Sequence, residues 1–305
     1  MILLSSLSGE LIKDCIILND GGFKYTSSAI AKSVGDVICY AVNEDYLNRA
    51  LDNDNVTCVI VPETLKEKVT LSEFDKGILL SPNPELSYRE INNYFYREGL
   101  LKLDFSFSIS SKVIVGSGTN IHDNVFIGDN VVIGENCIIY GNTIIHEGCV
   151  IEDNVTIGNE GLYFKRDADG ALHRVHSSGG VIIQKHVEIL NGSTVQRSHD
   201  LGQLTTIGEG TKISVNVNVG HSVEIGMHTL ISGNVQIAGR AKIGSYCWIG
   251  TSSTISDSVE IGDLAKVRIG SVVVQSLKRN ADVSGNFAYS HRVKLRNHQK
   301  LRKGL

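Results

Sequence analysis

Proline occurs only three times in these 305 residues, and aromatics make up only 6% of them. So little proline argues against a proline-rich disordered chain, and so few rings against a core built on large side chains. The six cysteines, at 15, 39, 58, 137, 149 and 247, form no CxxC pair and no metal-ligand spacing. That removes zinc ribbons and dithiol redox motifs and leaves reduced, buried thiols of a cytoplasmic protein as the expectation. Neither sign of charge dominates: the net charge is −4, so no basic field attracts nucleic acid. No apolar window is long enough to cross a bilayer, so no membrane span is expected. The first residues, MILLSSLSGELIKD, lack the basic region of a signal peptide. No GxSxG is present, and the GSG at 116–118 has no helix behind it to hold a phosphate. His residues are scattered, so no metal site is expected.

What the chain does have is glycine, 31 of them, and a period of six. Stepping by six from Ile109 gives only Ile or Val as far as Ile157. A second run starts at Ile183 and passes through Ile189, Val195, Leu201 and Ile207 to Val273 without a failure. A helix of period 3.6 cannot keep every sixth residue on one side. Three short strands per coil can, each with one aliphatic pointing inward, and residues three hexads apart then stack. The fold class expected is mainly β: a left-handed parallel β-helix of hexapeptide repeats over residues 105–275. Gly often follows the inward residue, as in Ile127-Gly128, where it would help turn a corner. Such a solenoid needs caps at its ends, which the flanking segments can supply.

Residues 1–104 read as a small α/β domain. Strands are expected at Val37–Tyr40 and Thr57–Val61, and helices at Ile30–Val34 and Leu86–Arg97. The step from Ile157 to Ile183 is not a multiple of six, so a loop, 158–182, leaves the solenoid; it carries His173 and His176. Turn residues also crowd near His199–Leu204, although the hexad frame survives there. Residues 276–305 form a short C-terminal tail, expected to be helical and basic.

The three-hexad stacking sets His221, in NVNVGHSVEIG, beneath Gly239, in QIAGRAKIG. A His beside an exposed backbone N–H can pair a general base with an oxyanion donor.

Residues 216–255, NVNVGHSVEIGMHTLISGNVQIAGRAKIGSYCWIGTSSTI, resemble the UDP-3-O-acylglucosamine N-acyltransferase family of lipid A biosynthesis. So do ICYAVNEDY (38–46), NPELSY (83–88) and the loop segments GNEGLYF and HSSGGV. The resemblance implies a homotrimer with active sites between subunits. It implies transfer of an acyl group from an acyl carrier protein or coenzyme A thioester to the amine of a UDP-amino sugar. It further implies that His221 takes the amine proton, that the Gly239 N–H holds the oxyanion, and that Tyr40 and Tyr46 pack on the uracil while Asn43 hydrogen-bonds nearby. Core aromatics of a small sheet remain the alternative reading of the tyrosines. The family's Asp upstream of its His is Ser214 here, and its second His is Ser258. Asp200 or Asn216 stand as candidates to orient His221 instead. These departures admit an amino-sugar N-acyltransferase of O-antigen or capsule synthesis with a shorter acyl group, and keep two alternatives open: an acetyl-coenzyme A dependent amino-sugar N-acetyltransferase, and a non-catalytic trimeric binding or scaffold protein.

Overall fold

The structure, a computed structural model, describes residues 1–70, 75–167, 169–285, 290, 292–293 and 299–300. From Ile114 onward the chain winds as a left-handed β-helix with three parallel sheets. The first sheet runs from Ile114–Val115 to Asp282–Val283, the second from Asn120–Ile121 to Val272–Val273, the third from Val125–Ile127 to Glu260–Ile261. Ordinary coils pair at a step of three hexads, as Ile225 with Ile243 and Ile243 with Ile261. Their aliphatics are buried in one continuous core. Parallel strands this short cannot bury a face alone, so the stack of coils is the folding unit.

A second inward position, two places before each aliphatic, completes the core. It is filled by small side chains such as Val131, Ala241 and Thr229. Three of the cysteines, Cys137, Cys149 and Cys247, sit there as buried free thiols. Thr229 Oγ1, at this position, donates to Gly244 O at 2.8 Å, whereas the buried Thr143 Oγ1 has no partner among the described residues. The corners are turned three places after the aliphatic, in the left-handed region that Asn tolerates, as at Asn130 with φ 57°. The Gly directly after the aliphatic has another role, contrary to expectation. A Cβ on Gly220 would lie 2.8 Å from Ile237 O, so glycine lets neighbouring coils close up.

Two coils are oversized, and both excursions leave at the corner between the second and third sheets. Ile145 pairs with Ile183, far more than one ordinary coil further on; the extra chain includes an antiparallel hairpin, Phe164–Arg166 with Leu172–Arg174. Ile183 pairs with Ile207, one coil plus one hexad further on, so a whole hexad is expelled near Ser198–Gln203. Leu201 is therefore not an inward residue of the solenoid. It is fully buried in the core of the N-terminal domain.

That domain is a five-stranded sheet in the order Ile16–Asn19, Gly77–Leu80, Val56–Val61, Val37–Tyr40, Tyr25–Thr26. The first strand is antiparallel to its neighbour and the rest are parallel. The helix Pro84–Arg97 begins with Asn83 as its cap and Pro at its first turn, a combination that satisfies and pre-shapes that end. The helix expected at Ile30–Val34 is absent. Its backbone is used for docking: Lys32 and Ser33 N–H both donate to Gly202 O, at 2.8 and 3.1 Å. The helix Glu44–Leu51, which sequence reasoning missed, follows instead.

The domain packs on the side of the solenoid and does not cap its end. Asn92 Nδ2 donates to His176 O at 2.9 Å, Tyr96 OH to Glu160 at 2.8 Å, and the Tyr96 ring stacks on His176. The first coil stays open, with Ile109 half-exposed. At the far end Asp282–Val283 adds a last strand. Most of the helical, basic stretch expected from His291 to Leu305 lies outside the described residues.

Candidate active site

Position two after the inward aliphatic forms a column at the corner between the second and third sheets. Going up the coils it holds Arg197, His221, Gly239 and Asp257. The hairpin and the expelled hexad leave from the same corner, and the N-terminal domain docks on both. These pieces enclose a cleft of about 630 Å³. Tyr40, Tyr46 and Arg49 line it from the N-terminal domain. Tyr163 and Lys165 come from the hairpin, Asp200 from the expelled hexad, and His221 and Arg240 from the coils.

His221 lies against Gly239 as the stacking requires. Arg240 N–H donates to His221 O at 2.8 Å, and a Cβ built on Gly239 would overlap Nε2 of His221. The Gly239 N–H has no acceptor among the described residues, so it is free to donate. Nδ1 of His221 is buried and has no hydrogen-bond partner among the described residues. Neither candidate for orienting it does so. Asp200 accepts from Ser27 Oγ at 2.7 Å and Gly202 N–H at 2.9 Å, tying the domain to the solenoid. Asn216 turns a different corner, where its φ is 55°.

Burial lowers the pKa of His221, and the Arg240 cation lowers it further, while Asp257 acts the other way. A depressed imidazole is neutral near pH 7, the state a base requires. Burial acts to raise Asp257, but hydrogen bonds from Arg240 and Ser258 win and lower it. Asp257 accepts from Arg240 Nη2 at 2.8 Å and from Ser258 Oγ at 2.9 Å. His199, which the sequence did not single out, is stacked on His221 with ring centroids 3.6 Å apart.

On the N-terminal domain's side of the cleft, Tyr40 is half-buried and its OH donates to Glu85 at 3.3 Å. Its ring leans on Tyr88 at 5.1 Å. Tyr46 is exposed on the helix Glu44–Leu51, beneath Arg49. Asn43 does not line the cleft. Its Oδ1 caps that helix, accepting from Tyr46 N–H at 3.1 Å, so it fixes the turn that presents Tyr46. The loop histidines are elsewhere: His173 pairs with Asp167 at 2.6 Å, and His176 stacks on Tyr96.

Fold and site thus define a hexapeptide-repeat solenoid with a side domain and a histidine-bearing cleft between them. In agreement, residues 124–159 match the model of the bacterial transferase hexapeptide, six repeats. No curated protein matches the chain significantly. Among solved structures, a UDP-N-acetylglucosamine acyltransferase from Campylobacter jejuni is similar at 18% identity. The match covers 64% of this chain and 82% of that one, with a TM-score of 0.49. The UDP-N-acetylglucosamine O-acyltransferase of Moraxella catarrhalis RH4 is 23% identical over 62% and 77%, with a TM-score of 0.40. A perosamine N-acetyltransferase from Caulobacter crescentus, solved with CoA and GDP-perosamine, is 13% identical over 74% of each chain, with a TM-score of 0.27. No described helix is long and apolar enough to cross a membrane.

Proposed function

We propose that this chain is a nucleotide-sugar N-acyltransferase that moves an acyl group from a thioester to the amine of a UDP-amino sugar. The observation that carries the reading is one cleft lined by Tyr40 and Tyr46 together with His221. Flat aromatic rings suit a uracil face, and the sugar then extends toward the imidazole. His221 Nε2 takes a proton from the amine as nitrogen attacks the thioester carbonyl. The free Gly239 N–H donates to the oxyanion. On collapse the C–S bond breaks, and the thiol leaves with the proton that His221 held.

The acyl donor is an acyl carrier protein or coenzyme A thioester, and the product belongs to lipid A, O-antigen or capsule synthesis. The working form is a homotrimer. Its support is a line of exposed apolar side chains along one flank of the solenoid: Met227, Leu230, Tyr246 and Trp248. Light scattering should give three times the 33.1 kDa chain. The test of the reaction is thiol release from acetyl- and longer acyl-thioesters, with and without UDP-amino sugars, and mass analysis of the sugar. Sugar-dependent release with an N-acylated product is expected; the chain length that turns over separates acetyl from long-chain transfer. No thiol release with any pair, despite a clear thermal shift by a UDP-sugar, would favour a binding scaffold instead.

A further inference from the structure

Two rings stack in series on His221. Tyr163 of the hairpin lies 4.1 Å from His199 at 20°, and His199 lies 3.6 Å from His221 at 23°. His199 belongs to the expelled hexad, so it reaches His221 only because that hexad leaves the coil. Its own rotation is set by Ser177: Nδ1 and Ser177 Oγ are 3.0 Å apart. Ser177 is buried, and its N–H donates to Glu160 at 3.3 Å. His221 has no such hydrogen bond, because Nδ1 has no partner among the described residues. Its ring is defined by surfaces instead, with His199 stacked on it and Gly239 against Nε2.

We propose that His199 is the positioning residue of the site: held by Ser177 and Tyr163, its ring fixes the plane of His221 and shields it from water. The inference rests on the reading of His221 as the base. It explains how the site works with Ser214 in place of a carboxylate: the imidazole is oriented by stacking, an interaction that needs no acceptor at Nδ1.

The charges around the pair fit this role. Arg240 and Asp257 face His221 from the coils above, and Lys165 faces His199 from the hairpin. Burial first, and then His221 and Arg240, push His199 down to about 3. It is therefore neutral near pH 7, and it acts there as an apolar wall rather than as a second charge. Removing the wall hydrates His221, which lets its pKa climb toward the ordinary value of about 6.5.

The test is a titration of the histidine Cε1–Hε1 signals of the full chain by NMR, with His221 assigned by its loss in His221→Ala. His199→Ala, His199→Phe and Ser177→Ala are compared, each first checked for a wild-type melting curve. In His199→Ala the His221 midpoint should rise and kcat should fall about 10–100-fold, with KM for the sugar nearly unchanged. His199→Phe keeps a flat ring and should restore both to within about threefold, and Ser177→Ala should fall between. An unmoved His221 midpoint with unmoved kcat in His199→Ala overturns the proposal. So does a His199→Phe protein as impaired as His199→Ala, since ring stacking would then not be the working interaction. Wild-type turnover in His221→Ala is a different result: it removes the base assignment itself, while the titration still reports whether the rings are coupled.

Discussion

The volume that a side chain at position 239 would occupy is already taken by the imidazole of His221. Gly239 is thus fixed by its neighbour one coil below and not by its own φ, which lies outside the left-handed region. Gly239→Ala should push the ring off its seat and lower kcat at least about 100-fold. The fold should lose no more than about 1–3 kcal/mol, because the crowding is at a corner and not in the core. Steady-state kinetics beside a denaturant melt will separate the two; equal losses in both would mean the residue serves only the fold. This contact was legible in the sequence, since three-hexad stacking alone places His221 under Gly239. The partner on the other face of the ring was not. The step from His199 to His221 is longer than an ordinary coil and is not a whole number of hexads, so stacking does not predict it. Asn43 shows a second limit. A motif can name a residue, but only the structure shows that its carboxamide is committed to a helix cap.

Elements that break a period are invisible when the break is a whole period. The hairpin excursion adds a length that is not a multiple of six, and the resulting frame shift reveals it. The second excursion adds one whole hexad, so Leu201 falls on a hexad position while its side chain packs in another domain's core. Either core accepts an aliphatic there, and hydrophobicity alone cannot say which one receives it. Leu201→Ala should therefore cost about 2–5 kcal/mol of burial and cavity energy in the N-terminal domain and leave the solenoid intact. Hydrogen exchange should quicken in Val37–Tyr40 and Val56–Val61 and stay slow in the coils from Ile213 onward. Faster exchange in those coils would return Leu201 to the solenoid core. The helix expected at Ile30–Val34 failed for a related reason: its N–H groups are taken by Gly202 O of the same excursion, a tertiary partner that local pattern does not contain.

At the scale of the whole molecule, the solenoid supplies a ruler and the two excursions spoil it in one place. Both leave at the corner that carries His221, and both are gripped by the N-terminal domain through contacts such as Ser27 to Asp200 and Asn92 to His176. The cleft exists because of that convergence. The architecture was readable from periodicity, because a buried aliphatic at every sixth residue is a strong and repeated constraint. The side-on docking was not, because it depends on polar backbone contacts made by irregular segments.

The central claim is that His221 removes the proton from a nucleotide-sugar amine in this cleft. The measurement closest to it is thiol release from an acyl thioester in the presence of a UDP-amino sugar, wild type against His221→Ala, at equal and verified folding. A loss of about 10²–10⁴ in turnover is expected, with the sugar still binding. Equal rates for the two proteins would contradict it.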